Sequence, residues 1–186
     1  SASAASDVYK RLVLRGNEAA GQGGAIVAIG SATGGTSTLV LGAGAKIEQN
    51  KAKSTGGAIY AFGYDQTVNI GANALITGNV AGTYGGAISV EGQTSSGINI
   101  GNGAVISNNY ALTGSGGALY SNHNITINGN TNISGNLSAG SGGALFAAGL
   151  GTANTVTLDT SLGHIAFTGN KSGVTFTDGV PDDGSG

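Results

Sequence analysis

The chain has 186 residues, of which 37 are Gly, one is Pro and none is Cys, Met or Trp, and only 9% are charged. A Gly content this high without a three-residue period excludes collagen, and 39% apolar residues with low net charge (−2) exclude simple disorder. The same charge gives no footprint for nucleic acid, and no apolar run approaches the roughly 18 residues of a membrane helix. The absence of Cys removes disulfides, zinc–thiolate sites and thiol nucleophiles together.

In chain order the dominant signal is self-similarity. Leu14–Asn17 opens a series of apolar-x-x-Asn strings that continues at Ile47–Asn50, Ile76–Asn79, Ile106–Asn109, Ile133–Asn136 and Phe167–Asn170. A Gly-Gly-Ala-Ile/Leu string follows each of the first five, at Gly23–Ile26, Gly56–Ile59, Gly85–Ile88, Gly116–Leu119 and Gly142–Leu145, with spacings of 33, 29, 31 and 26 residues. Between the two lie paired aliphatics, Leu39/Leu41, Val68/Ile70, Ile98/Ile100, Ile125/Ile127 and Val156/Leu158. Each roughly 30-residue unit therefore holds three short alternating segments separated by Gly, Asn, Ser and Thr turns, with no helical stripe.

This pattern predicts an all-β, single-domain right-handed parallel β-helix (solenoid) of about six three-stranded coils. Residues 1–186 form one domain, with repeat coils over about 8–177 and a polar Gly/Asp tail over 178–186. Equivalent residues of successive coils then stack, so Asn17, Asn50, Asn79, Asn109, Asn136 and Asn170 form a structural ladder at a turn. The Gly-Gly pair suits the next corner, where positive φ and close backbone approach exclude a Cβ. The uniform apolar positions point inward.

Gly-Gly-Ala-Ile/Leu paired with apolar-x-x-Asn resembles the repeats of the chlamydial polymorphic membrane proteins and related autotransporter passengers, from Leu14 to Asn170. The resemblance implies a parallel β-helix, its right-handedness, a place on the bacterial surface or outside the cell, and a role in adhesion. The family's Asn string usually begins with Phe, as only Phe167-Thr-Gly-Asn170 does here. The translocating barrel of such proteins lies outside this sequence.

No cofactor or metal is expected. His123 and His164 read as solvent-facing turn residues. The carboxylates are scattered over different segments, so catalytic residues are expected to be none, and a carbohydrate-active β-helix enzyme ranks third among the readings. Glu48 aligns with Arg15 one coil earlier as a surface ion pair. The candidate partner-binding face is the outward row holding Tyr60, Tyr120 and Phe146, which would meet a host-cell or glycan surface receptor. Longer insertions at Gly30–Ser37, Phe62–Gln66, Gly92–Gly97 and Ala148–Thr155 are candidate binding loops.

Residues 1–53 carry a net charge of +3 and residues 54–186 carry −5. Lys10, Arg11 and Arg15 at one end and Asp178, Asp182 and Asp183 at the other are thus candidate assembly ends for head-to-tail self-association. The expected function is a non-enzymatic cell-surface or secreted adhesin-type module that mediates adhesion to host or neighbouring cells, with no nucleic-acid partner and no direct membrane insertion by this chain. The alternative is a structural subunit stacking into extracellular filaments. The termini read either as those of an excised piece of a longer solenoid or as those of a natural subunit.

Overall fold

The computed structural model describes residues 12–149 and 154–182. Its strands are short because each segment of alternating residues ends at a Gly, Asn or Ser turn after one solenoid face. Sheet A collects Val13–Arg15, Lys46–Glu48, Leu75–Thr77, Val105–Ser107, Asn132–Ser134 and Ala166–Thr168 in parallel. Sheet C collects Ile26–Ile29, Ile59–Gly63, Ile88–Gly92, Leu119–Ser121 and Leu145–Ala147. Sheet D collects Thr36–Leu41, Asp65–Ile70, Gly97–Ile100, Asn124–Asn128 and Val156–Asp159. The chain is an all-β solenoid of about five turns, with no helix among the described residues.

Two details differ from the sequence expectation. The coils number about five rather than six, because the first and last turns each contribute only some of the faces. A fourth face also exists: sheet B, formed by two-residue strands such as Lys51–Ala52, Val80–Ala81 and Tyr110–Ala111 directly after each ladder Asn. Strands this short leave almost no alternation to read.

The register is the one implied by the repeats. Ile59, Ile88 and Leu119 pair across sheet C, Ile47, Ile76, Ile106 and Ile133 across sheet A, and Val68/Ile70, Ile98/Ile100 and Ile125/Ile127 across sheet D. All are at most 3% exposed and form one continuous core, filled at the corners by Ala45, Ala74, Ala104 and their equivalents. In the last coil Val156, Leu158 and Phe167 keep the core register yet are 42–46% exposed, because no further described coil covers them.

Two Gly features set the corners. The first Gly of each Gly-Gly pair has positive φ, for example 62° at Gly56 and 60° at Gly85. The second is excluded by stacking, since a Cβ on Gly86 would lie 2.0 Å from Gly117 O and 2.6 Å from Tyr110 N. The motif thus divides into a conformational Gly and a clearance Gly.

The Asn ladder runs the length of the rod. Nδ2 of Asn17, Asn50, Asn79, Asn109 and Asn136 donates to Oδ1 of the next Asn at 2.8–2.9 Å. The backbone N–H of each donates to that same oxygen at 3.0–3.1 Å. From Asn50 onward, Nδ2 also donates back to the carbonyl of the apolar residue one coil earlier, Leu14, Ile47, Ile76, Ile106 and Ile133 in turn. Asn50, Asn79, Asn109 and Asn136 are fully buried, and the ladder satisfies polar groups that would otherwise cost about 1–3 kcal/mol each.

Candidate functional site

Sheet C presents two outward rows between its inward residues. The first is Val27, Tyr60, Ser89, Tyr120 and Phe146, and the second begins Ile29, Phe62 and Glu91. The first row is not the open platform expected from alternation. Tyr60 and Tyr120 are each 8% exposed and Ser89 is fully buried, while Phe146 is half-buried.

The cause is the turn that leads into each strand, which folds back over the row. A Cβ on Gly23 would sit 2.8 Å from Val27 Cγ2, and one on Gly142 3.1 Å from Phe146 Cβ. Tyr84, in such a turn, stacks on Tyr120 with ring centroids 4.7 Å apart, and Tyr120 stacks on Phe146 at 5.9 Å.

Two aromatics of this face stay accessible: Tyr84, 40% exposed, and Phe62, 38% exposed and stacked on Tyr60 at 6.5 Å and 11°. Beside it on the next strand stands Glu91, the register partner of Phe62. Tyr60 Oη donates to Glu91 Oε2 at 3.4 Å, and Ser89 Oγ donates to Oε1 at 3.3 Å. Both bonds are long, and both donors are neutral. Burial pushes the Glu91 carboxyl above its ordinary value, an effect partly offset by the bonds from Ser89 and Tyr60. Burial, then the Glu91 charge, pushes the Tyr60 phenol up to about 12, and the same two causes raise Tyr120.

Phe62 and Glu91 border a cleft of about 380 Å³ completed by Gly92, Gln93, Asn122 and His123. Its floor is fixed. Gly92 N–H donates to Asn122 Oδ1 at 2.9 Å, Asn122 Nδ2 donates to Gly92 O, and His123 Nε2–H donates to that carbonyl at 3.2 Å. His123 is therefore a buried corner residue, 2% exposed, rather than the solvent-facing turn residue its Asn neighbours suggest; His164 is exposed.

Three of the expected binding loops meet at this corner. Gly30 N–H donates to Phe62 O, Tyr64 N–H to Ser31 O, and Gln93 N–H to Tyr64 O, all at 2.8–2.9 Å. Asp65 ties the second loop to the third by accepting from Ser95 N–H at 3.0 Å and from the Thr94 hydroxyl. Of the fourth loop, residues 150–153 lie outside the described residues.

Of the expected assembly residues, Arg15, Asp178 and Asp182 are among the described residues, Arg15 in the terminal strand of sheet A. Lys10, Arg11 and Asp183 lie outside the described residues. Arg15 is bound to Glu48 at 2.8 Å across sheet A, its own side chain exposed and the carboxylate buried. Asp178 turns a small hairpin, Phe176–Thr177 against Val180–Pro181, which lies on the flank near sheet B because Phe176 packs on Tyr110 at 6.0 Å. Asp182 follows on the same flank, its N–H bonded to Thr175 O at 2.9 Å.

The other carboxylates are dispersed. Glu48 is in sheet A, Asp65 and Asp159 at opposite ends of sheet D strands, and Glu91 on sheet C. No group of three metal-ligating side chains occurs among the described residues.

Residues 45–61 and 73–91 match the Chlamydia polymorphic membrane protein repeat. Each matched stretch carries a sheet A strand or most of one, a ladder Asn, the Gly-Gly pair and part of the sheet C strand. Over these two stretches the chain is similar to the Chlamydia polymorphic membrane protein repeat. Neither the curated proteins nor the solved structures include a match to it. The second match ends on Glu91, whereas the first ends on Ala61, one residue before Phe62, and Gln93 lies beyond the second match.

Proposed function

We propose that this chain is a non-enzymatic, surface-displayed β-solenoid module that mediates adhesion to host or neighbouring cells through the outward face of sheet C. The observation that carries this reading is the corner where Phe62 and Glu91 border an open cleft beside three stacked insertions, on a rod built from polymorphic membrane protein-type repeats. A rigid solenoid holds loops in fixed register, which suits recognition of a surface. The Cys-free sequence suits passage through an oxidising compartment to the cell surface.

The test is binding of labelled chain to panels of mammalian and bacterial cells. Wild type is expected to bind a subset saturably, and Phe62→Ala, with an unchanged circular dichroism spectrum, to bind several-fold less. Wild type binding no cells, or Phe62→Ala binding equally, would overturn the reading.

A second reading, end-to-end stacking into extracellular filaments, is favoured by the polarity of the Asn ladder. Asn170, the last rung, donates from Nδ2 to Ile133 O and has no next Asn among the described residues, while Asn17 Oδ1 at the first rung receives no Asn donor there. A further coil, from this chain or a second copy, would continue the ladder in the same sense and cover Val156, Leu158 and Phe167. This contact is made by hydrogen bonds and apolar burial. Filaments built this way should survive high salt in light scattering and negative-stain images; particles that stay monomeric at every salt concentration would exclude them.

A further inference from the structure

We propose that the cleft between Phe62 and Glu91 binds an amino sugar, with the hexose ring against the Phe62 face and its ammonium group on the Glu91 carboxylate. This deepens the adhesion reading and rests on it.

The carboxylate is the first argument. Among the described residues, the half-buried Glu91 accepts two long bonds from neutral hydroxyls, which leaves it acceptor capacity to spare. The Lys and Arg of the described residues stand elsewhere: Arg15 and Lys46 in sheet A, Lys51 and Lys171 in sheet B, and Lys53 in the turn after sheet B. A carboxylate held in such surroundings gains most from a cation that arrives with hydrogen-bond donors of its own.

The aromatic pair is the second. Phe62 and Tyr60 are nearly parallel, and Phe62 keeps an accessible ring at the cleft edge. Such a ring offers one flat apolar surface to the C–H side of a sugar and attracts an adjacent cation through its quadrupole. Ile29, the register partner of Phe62 on the preceding strand and 73% exposed, extends the apolar shoulder.

The cleft's size and polarity narrow the ligand further. Its volume of about 380 Å³ is at the small end of small-molecule sites, which run roughly 300–1,000 Å³. The exposed Gln93 amide at the rim can bond ring hydroxyls, which a bare alkylammonium lacks. The floor is already satisfied internally through Gly92, Asn122 and His123, so the cleft keeps its shape before ligand arrives.

The test is calorimetric titration of the intact chain at neutral pH with a glucosamine oligosaccharide, its fully N-acetylated counterpart and a Lys-rich peptide of equal charge. The glucosamine oligomer is expected to bind at least about tenfold more tightly than either of the others, and Glu91→Gln and Phe62→Ala each to weaken it about tenfold or more. Equal binding of the N-acetylated oligomer, equal binding of the peptide, or full affinity in a folded Glu91→Gln protein each overturns the proposal, as does no binding of the glucosamine oligomer. Cell binding is measured on the same samples. Cells bound without amino-sugar affinity overturn this inference alone, whereas loss of both overturns the adhesion reading as well.

Discussion

Asn79 donates twice to the side-chain oxygen of Asn109, from Nδ2 at 2.9 Å and from its backbone N–H at 3.0 Å. One buried oxygen thus fixes both the side chain and the turn of the preceding coil, and the arrangement repeats from Asn17 to Asn170.

Removing an inner rung should therefore cost far more than removing an end one. Asn109→Ala strands two donors on Asn79 and also loses the bonds from Asn109 Nδ2 to Ile76 O and Asn136 Oδ1. The expected loss is about 3 kcal/mol or more, against about 1 kcal/mol for Asn17→Ala, read from urea unfolding midpoints. Similar costs at both positions would mean that the ladder is not cooperative.

The residue before each ladder Asn gives a test of opposite sign. It occupies the left-handed region in every coil: Gly16, Gln49, Gly78, Asn108, Gly135 and Gly169 all have φ between 53° and 65°. Gln49 is an exposed side chain held there at 55°. Gln49→Gly relieves a strain of about 1–2 kcal/mol and adds unfolded-chain entropy of about 0.4–1 kcal/mol, for a net gain of about 0.5–1 kcal/mol. Gly86→Ala, in contrast, forces a Cβ onto Gly117 O and should prevent cooperative folding. A higher melting temperature for the first and a lost transition for the second are the expected results, and the converse pattern would contradict the assigned corner geometry.

The solenoid was legible because its constraints repeat. A core Ile, a ladder Asn or a clearance Gly must be compatible with its own copy one coil away, so the same letters recur and the register can be read by alignment. The site was less legible because it depends on contacts between unlike segments. Alternation sets Tyr60 and Tyr120 apart from the core Ile and Leu, but nothing in it reveals that both are buried, Tyr120 under Tyr84 of a neighbouring turn. Phe62, two residues beyond Tyr60 in the same alternation, reads in the sequence as the start of a binding loop, and its pairing with Glu91 follows from aligning Ile59 with Ile88. His123 was hidden differently: its buried place depends on a tight corner between sheets C and D that polar neighbours disguise as a loop.

Glu91 should make stability depend on pH. Its folded-state value lies above the usual 4.5, so the folded chain holds this proton more tightly than the unfolded one. The stabilisation is complete below about pH 4.5 and is lost as pH rises through the raised value. Tyr60 and Tyr120, both raised, stay neutral throughout, and His123 is common to both proteins compared. The melting-temperature advantage of Glu91→Gln over wild type should therefore grow from acid to neutral pH. A constant or shrinking advantage would mean that Glu91 is as well solvated as in the unfolded chain.

The most direct test of the adhesive face is hydrogen–deuterium exchange of the chain alone and with glycans released from a cell type that it binds. The account predicts added protection confined to the corner of sheets C and D, over Phe62–Tyr64 and Gly92–Thr94, with sheets A and B unchanged. Protection centred on sheet A or sheet B, or on the open end at Val156 and Phe167, would contradict it.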